Sequence, residues 1–329
     1  MPNTEFRVRP IDGAERCGVI VEPVGAQSLT AWAGTERDAL DALIHQHGAV
    51  LLRGFRTDAG AEEIGELVTQ LSGPPLDYTE RSSPRTEVAP GIYTSTDYPQ
   101  DKSIFLHNEQ SYNLRFPERL YFYCEDAADE GGETTVADSR RIHDRLPAAQ
   151  RDRIVAVGYR IVRNYRPYMG LPWQEVFQTT DKAEVARYCA DNKIELEWQG
   201  EDEGELRTWQ HRQARARHPI TGELCWFNHM TFFHISTLGE EMADLLIEAY
   251  GEEGLSTNTF LGDGTPLDAE SLRELHAAYE AECVPVPWQD GDLLIVDNLL
   301  AAHGRAPYQG SRRVVVSMGG ARDWHDVAA

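Results

Sequence analysis

The short stretch Leu106-His107-Asn108-Glu109 carries the side chains with the clearest capacity for chemistry. It ends an apolar run that predicts a β-strand, and residues i and i+2 of a strand project to the same face. His107 and Glu109 are therefore expected to reach one point in space, where an imidazole and a carboxylate can bind a metal ion. This pair alone does not distinguish a metal site from two polar residues at a strand edge.

A second candidate ligand, His303, lies far downstream. It follows the apolar run 293–296, which predicts a buried strand and ends in the polar pair Asp297-Asn298. The chain is thus expected to leave the core where a side chain could meet the first pair. Two histidines and one carboxylate that leave coordination positions open are typical of non-haem iron(II) oxygenases. The alternative is an exposed turn histidine, and four other histidines compete as ligands: His211, His218, His229 and His234.

Two adjacent arginines, Arg312 and Arg313, begin a β-branched run soon after His303. Because successive strand residues point to opposite faces, only one of the two can face a barrel interior. A buried arginine needs an anionic partner, and a dicarboxylate would supply one. The alternative is that both arginines are exposed and protect a strand edge from pairing.

Composition restricts the class of protein. The chain has 329 residues and a formal net charge of −23. A charge of that sign repels nucleic acids and anionic membranes, so we expect neither as a partner. No apolar run approaches the roughly 18 residues needed to cross a bilayer, and the N-terminal MPNTEFRVRP lacks the apolar core of a signal peptide. We therefore expect a cytoplasmic protein, and the sequence leaves its oligomeric state open.

The pattern of apolar residues predicts helices and strands without regular alternation. Helices are predicted at about 35–47, 58–71, 138–146, 181–192, 240–250 and 268–280, and strands at 49–55, 120–124, 133–136, 154–163, 223–228, 293–296 and 312–316. This arrangement favours an α+β protein whose mainly β core is a sandwich or jelly roll. We expect a single catalytic domain over residues 1–329, because no linker divides the chain.

The stretch 75–103 is rich in Pro, Ser, Thr and Asp and shows no helical or strand periodicity. Structureless stretches of that length in compact domains are usually disordered or form functional lids. This one runs directly into His107, so we predict that it is an active-site lid.

Several motifs occur in one order along nearly the whole chain. They are LHNEQSYN at 106–113, EGGET at 130–134, HPITGE at 218–223, WFN at 226–228, and the run from 297 through HGR at 303–305 to 313. Together they resemble the iron(II)/2-oxoglutarate-dependent taurine dioxygenase (TauD/TfdA) family. The resemblance is to the branch of clavaminate synthase and the syringomycin-type amino-acid hydroxylases. It implies a double-stranded β-helix (jelly roll) with flanking helices.

The resemblance also implies that His107, Glu109 and His303 bind iron(II), and that 2-oxoglutarate and dioxygen are the cosubstrates. Taurine dioxygenase has aspartate at the position of Glu109, and glutamate is similar to the clavaminate synthase branch. Related halogenases have a small residue there, so Glu109 points to hydroxylation or another oxidation.

Two further positions are implied to meet the distal carboxylate of 2-oxoglutarate. Thr134 is one, and an arginine after the last iron ligand is the other. Arg312 is assigned first, and Arg313 remains the alternative.

The related enzymes oxidise amino acids, free or carrier-bound, often in natural-product biosynthesis. We expect hydroxylation of an unactivated C–H bond of a free amino acid or a related small polar metabolite. A substrate bound to a carrier protein, desaturation and cyclisation are alternatives. Arg81 and Arg163 are candidates for holding a substrate carboxylate, and Tyr112 and Trp226 for enclosing the substrate.

Two observations bear on competing functions. The arginines between 207 and 217 form a basic cluster on an acidic chain and could offer a docking patch for a carrier protein. A zinc hydrolase could use the same three metal ligands, but it would have no role for a buried arginine after His303. A non-catalytic jelly-roll binding module would need no metal.

Overall fold

The computed structural model describes residues 5–11, 17–58, 60–76, 80, 86–95, 98–166, 169–200 and 204–329. Within these ranges the helices are α1 Leu29–Thr35, α2 Arg37–His47, α3 Ala61–Ser72, α4 Ser139–Arg145, α5 Ala148–Val157, α6 Trp173–Val176, α7 Lys182–Asp191, α8 Met230–Phe233, α9 Glu240–Tyr250 and α10 Ala269–Glu282. None of them is long and apolar enough to span a membrane.

The strands of the described ranges build one eight-stranded sheet, two four-stranded sheets and two two-stranded sheets. They are β1 Phe6–Pro10, β2 Val19–Pro23, β3 Ala49–Leu52, β4 Glu87–Ala89, β5 Ile92–Thr94, β6 Ile104–His107, β7 Arg115–Asp126, β8 Glu130–Gly131, β9 Thr134–Asp138, β10 Tyr159–Tyr165, β11 Ile194–Gln199, β12 Glu205–Arg212, β13 Arg215–Arg217, β14 Leu224–Trp226, β15 Thr257–Leu261, β16 Val284–Val286, β17 Leu293–Asp297, β18 Ala301–Arg305, β19 Tyr308–Gln309 and β20 Arg313–Asp323.

Two facing sheets form the core. The larger has the strand order β1-β2-β3-β17-β7-β20-β5-β4, and the smaller has the order β16-β9-β18-β6. Leu120, Val296 and Val316 of the larger sheet pack in one apolar cluster with Val136 and Val286 of the smaller sheet. The prediction of a jelly-roll core with flanking helices is therefore confirmed.

Strand β17 shows how the sequence builds this core. It lies between β3 and β7 and is antiparallel to both. Leu293 and Ile295 project into a cluster with helices α1 to α3, whereas Leu294 and Val296 project into the cluster between the two sheets. Because both faces are covered, the strand reads as a continuous apolar run that ends at Asp297.

A third sheet, with the order β11-β12-β10-β15, stands beside the core. Helices α6 and α7 cover it through a separate apolar cluster that includes Tyr165, Trp173, Val185 and Leu206. This sheet carries Arg163 on β10 and the arginines of β12.

The predicted strand 154–163 is wrong in its first part. Helix α5 continues to Val157, and β10 begins only at Tyr159. Gly158 separates them with φ +70°, and its N–H donates to the Ile154 carbonyl at 2.7 Å, which ends the helix. The apolar run 154–157 was assigned to the strand because its residues fit a short strand as well as the last turn of a helix.

The sequence predicted that the stretch 75–103 is irregular, but its described residues include two strands. It contains β4 and β5, and β5 pairs with β20 at the edge of the larger sheet. Ile92 and Tyr93 are buried there, so the stretch contributes to the core as well as to the surface.

Candidate active site

Strands β6 and β18 place His107 and His303 directly opposite each other in the smaller sheet. Their ring centroids are 4.4 Å apart. His303 lies within β18, a strand that the sequence pattern did not predict, so the alternative of an exposed turn histidine is wrong. Cross-strand neighbours share one face of a sheet, and this explains how two distant histidines meet.

Glu109 lies beside the two histidines, but not on the strand of His107 as the sequence predicted. Strand β6 ends at His107, and Glu109 lies in the turn that follows, so strand alternation does not bring the two together. Gln110, next in this turn, has φ +52°. The Oε2 atom of Glu109 is 3.9 Å from the Nε2 atom of His303. The ligand atoms of His107, Glu109 and His303 all lie within 4.8 Å of one another, and all three residues are buried.

The orientation of His107 suits a metal ligand. Its Nδ1 atom is 2.9 Å from the carbonyl oxygen of Phe105, and in the tautomer that donates to this oxygen it is Nε2 that carries the lone pair for a metal. Phe232 stacks on the ring at 4.2 Å, and Phe122 lies 5.1 Å from the ring of His303. Two imidazoles and one carboxylate on one side of a buried point fit iron(II) and leave its other positions open.

Asn298 fixes the turn that carries Glu109, although the sequence reasoning did not assign it a role. Its Oδ1 accepts the backbone N–H of Glu109 at 2.7 Å, and its Nδ2 donates to the Glu109 carbonyl at 2.9 Å and to the Pro117 carbonyl at 2.8 Å. The side chain of Asn108 in turn donates to the Asn298 carbonyl at 2.8 Å. The sequence feature that could have indicated this role is the polar pair 297–298 at the end of an apolar strand.

Replacing Asn298 with alanine is expected to weaken iron(II) binding about 10- to 100-fold, the usual cost of losing a group that orients a ligand. Anaerobic competition with a chromophoric chelator measures this affinity. Asn164→Ala is the matched control, because Asn164 is also buried and donates to the backbone carbonyls of Glu253 and Leu255 in another part of the fold. Equal iron affinities in the two variants would contradict the role given to Asn298.

A second group of potential ligands comprises His45, His218 and Asp297. Both ring nitrogens of His218 are occupied, because Nε2 donates to Asp297 at 3.1 Å and Nδ1 accepts from the backbone N–H groups of Ile220 and Thr221. A metal at Nε2 would force a proton onto Nδ1, against those two donors. The group is therefore structural and does not form a second metal site.

Asp297 connects this group to the candidate metal centre. Its Oδ1 accepts the backbone N–H groups of Leu299 and Leu300, both at 3.0 Å, and so shapes the turn that contains Asn298. Burial acts to raise the pKa of Asp297, but the hydrogen bond from His218 holds it below its ordinary value. The HPITGE motif thus supports the metal centre through Asp297.

A small cavity adjoins the two histidines. It is lined by Ser95, Ile104, His107, Phe122, Thr134, His303, Gly304, Arg305, Arg312, Val314 and Val316. Thr134 and Arg312 were both assigned to 2-oxoglutarate from the sequence, and the structure brings them to one cavity.

The side chains of the adjacent Arg312 and Arg313 point in different directions. Arg312 lines the cavity and donates from Nε to the Gly132 carbonyl at 2.8 Å and from Nη1 to the hydroxyl of Ser95 at 3.4 Å. The side chain of Arg313 is 61% exposed and pairs with Glu125. The alternative assignment of Arg313 is therefore wrong, because neighbouring residues at a strand start point to opposite sides.

The cavity holds unusual positive charge. Burial, and then the nearby charge of Arg305, lower the pKa of Arg312 to about 10. Burial also lowers the pKa of Arg305. Over the residues that the structure describes, neither guanidinium has a carboxylate partner within ion-pair distance. A buried cation beside a partly buried one, with no carboxylate between them, favours an anionic ligand.

The predicted role of Arg163 in holding a substrate carboxylate is wrong. Arg163 is buried, and its Nη1 lies 3.2 Å from the Oε1 atom of Glu80. Glu80 also accepts hydrogen bonds from Gln210 at 2.7 Å and Tyr188 at 3.0 Å. A guanidinium already paired with a buried carboxylate serves the fold. The other candidate, Arg81, lies outside the described residues.

Tyr112 and Trp226 pack in the core and do not enclose a substrate, contrary to prediction. Both are 0% exposed, which leaves no surface for a ligand. They belong to one apolar cluster beside the smaller sheet, and the Tyr112 hydroxyl donates to the Glu80 carbonyl at 2.9 Å.

The basic cluster between 207 and 217 does not form a patch. Arg207 pairs with Glu253, whereas Arg212 is buried and donates to backbone carbonyls that include that of Tyr112. The exposed Arg217 donates to the Gly222 carbonyl at 2.8 Å. Alternation along a strand sends these side chains in different directions, so the predicted docking patch is wrong.

Comparisons with known proteins agree with this geometry. The family described as taurine catabolism dioxygenase TauD, TfdA matches residues 8–318. The dapdiamide synthesis protein DdaC of Enterobacter agglomerans is 34% identical over 314 residues, which cover 95% of this chain and 94% of that protein. A clavaminate synthase-like protein of Arabidopsis thaliana is 31% identical over 308 residues, which cover 90% of this chain and 89% of that protein.

A solved structure shows the same fold. The PvcB protein of Pseudomonas aeruginosa superposes with a TM-score of 0.57 at 16% identity, over 96% of this chain and 91% of that one. Because the family match spans nearly the whole sequence, the chain belongs to the TauD/TfdA family and is an iron(II)- and 2-oxoglutarate-dependent oxygenase.

Proposed function

We propose that this oxygenase hydroxylates an unactivated C–H bond of a free amino acid or a related small polar metabolite in natural-product biosynthesis. The observation that carries the proposal is the convergence of His107, Glu109 and His303 beside a cavity that is also lined by the partly buried cation Arg312. The similarity to a protein of dapdiamide synthesis supports a role in natural-product biosynthesis.

We assign His107, Glu109 and His303 as the iron ligands. When bound, iron(II) supplies the centre at which dioxygen and 2-oxoglutarate react and the substrate is oxidised. The residues around it limit what can approach: Phe232 and Phe122 cover the imidazoles with apolar surface, which keeps water from the ligands. Glu109 provides a carboxylate ligand, which supports hydroxylation over halogenation.

The distal carboxylate of 2-oxoglutarate is assigned to Arg312 and Thr134. Arg312 brings a full positive charge to a partly buried position in the cavity, and Thr134, a residue that is 3% exposed, brings a hydroxyl. The charge of Arg305 adds to the attraction for a dianion. A zinc hydrolase would have no use for these groups, and a non-catalytic binding module would not need the metal ligands.

We further propose that segment 75–103 covers the active site as part of one catalytic domain. Three contacts support a closed arrangement. Arg305 donates to the carbonyls of Tyr98, Pro99 and Lys102, with distances of 3.2, 2.7 and 2.8 Å. Arg312 donates to Ser95, and Glu80 is held by the third sheet. Because the contacts of Arg305 and Arg312 start from cavity residues, we expect the described residues that they hold, between 95 and 102, to be ordered together with the site.

A small free substrate is favoured over a carrier-bound one. The chain carries a net charge of −23, and of the arginines that were expected to offset it locally, Arg207 is paired with Glu253 and Arg212 is buried. Arg81, which directly follows the anchored Glu80 in the sequence, remains our candidate for the substrate carboxylate.

The proposed function is tested by loading the protein anaerobically with iron(II) and 2-oxoglutarate, adding a panel of amino acids, and then admitting air. We expect succinate to form fastest with one amino acid or a few related ones, whose products gain a single oxygen atom. His303→Ala serves as the inactive control. Succinate formation that is the same with every compound, and without an oxidised product, would contradict the proposed substrate class.

A further inference from the structure

An indole N–H is aimed at the hydroxyl that we assign to the cosubstrate. The Nε1 atom of Trp288 donates to the Oγ1 atom of Thr134 at 3.2 Å. Trp288 is partly buried and packs against the core between the two facing sheets. Thr134 pairs in the smaller sheet with Val286, two residues before Trp288, so the contact follows from the strand register.

The hydroxyl of threonine has one hydrogen to donate and can accept at two lone pairs. Since the Trp288 N–H occupies an acceptor position of Oγ1, the hydroxyl hydrogen of Thr134 must point away from the indole. Among the described residues, no protein acceptor for that hydrogen lies within bonding distance. The side chain lines the cavity, so the open direction is toward the ligand and Arg312.

Trp288 is itself held in place by a buried ion pair. The Nε atom of Arg53 donates to both carboxylate oxygens of Asp292 at 3.1 Å, and its Nη2 donates to the Pro287 carbonyl. Asp292 also accepts the backbone N–H of Gln289 at 2.8 Å. The residues on either side of Trp288 are therefore fixed, and a fixed donor can select one rotamer of the hydroxyl.

We propose that Trp288 is a positioning residue for 2-oxoglutarate: it orients the Thr134 hydroxyl so that its hydrogen is donated to the distal carboxylate of the cosubstrate. This inference rests on the proposed assignment of Thr134. It adds a residue that is not among those lining the cavity and that acts through the hydroxyl. The indole also strengthens the hydroxyl as a donor, because hydrogen bonds in a chain polarise one another.

The test is a binding measurement with anaerobic, iron(II)-loaded protein and no substrate. Trp288→Phe removes the N–H and keeps an aromatic ring. We expect the dissociation constant of 2-oxoglutarate to rise about 3- to 10-fold, the usual effect of one hydrogen bond, with iron affinity unchanged. Trp173→Phe is the matched control, because it removes an indole N–H that donates to the Gly204 carbonyl, also at 3.2 Å, away from the cavity. It should leave the dissociation constant unchanged.

Two further binding measurements distinguish an effect on the orientation of the Thr134 hydroxyl from a general disturbance of the cavity. Binding of 2-oxobutyrate, which lacks the distal carboxylate, should not respond to Trp288→Phe. In a Thr134→Val background, Trp288→Phe should add less than about a 2-fold change, because the hydroxyl is already absent.

Three outcomes would overturn the inference: wild-type affinity in Trp288→Phe, an equal loss for both oxo acids, or an undiminished effect in the Thr134→Val background. Failure of the wild-type protein to bind 2-oxoglutarate would instead refute the proposed assignment of the cavity.

Discussion

Replacing His303 with alanine is expected to lower iron(II) affinity more than about 100-fold, beyond the 10- to 100-fold usual for a group that only orients a ligand, and to abolish succinate formation. His303 is buried, faces His107 across two paired strands and lies 3.9 Å from the carboxylate of Glu109. Its loss leaves only two protein ligands. Anaerobic titration with a competing chelator measures the affinity, and thermal unfolding checks that the variant is folded.

The control for this experiment is His325→Ala. The side chain of His325 is 79% exposed, lies near the C-terminus and contacts Asp326, so iron binding and turnover should remain at wild-type levels. If His303→Ala binds iron(II) as tightly as His325→Ala, then His303 is not a ligand and the assigned metal centre is incorrect.

Replacing Arg312 with methionine is expected to raise the dissociation constant of 2-oxoglutarate by about 10- to 150-fold, because a hydrogen bond to a charged group contributes roughly 1.5–3 kcal/mol. The guanidinium is partly buried, lines the cavity and, within the described ranges, has no carboxylate partner, so its charge is available to the cosubstrate. Binding of 2-oxobutyrate should change little, because this oxo acid has no distal carboxylate.

Arg313→Met is the matched control for Arg312. It makes the same chemical change one residue away, on a side chain that is largely exposed and paired with Glu125. We expect less than about a 2-fold effect on 2-oxoglutarate affinity, in line with the small contribution of surface ion pairs. A larger loss in Arg313→Met than in Arg312→Met would reverse the assignment of the two arginines.

The sequence singled out His107, Glu109 and His303 as candidate ligands, because residue type and motif order can be read without a structure, and the fold brings the three together. Their local structure was predicted less well. Glu109 was expected on the strand of His107 and lies in a turn, and His303 lies on a strand that was not predicted. Apolar periodicity cannot distinguish these cases in β6 and β18, because the two strands are too short to show it.

The supporting residues could not be found from the sequence for a different reason. Asn298 and Trp288 act through hydrogen bonds to Glu109 and Thr134, which lie more than a hundred positions away in the chain. Such pairings have no local pattern and appear only when the sheet register is known. Arg163 was misassigned for the same reason, because its partner Glu80 lies in a stretch without periodicity.

One buried iron(II) and the cavity beside it are expected to bind 2-oxoglutarate together. Calorimetric titration of 2-oxoglutarate into the anaerobic protein, with and without iron(II), measures this coupling. We expect one equivalent bound per chain with iron(II) present, much weaker binding without the metal, and loss of the metal-dependent part in His107→Ala. Binding of the same strength without iron(II), or in His107→Ala, would contradict it.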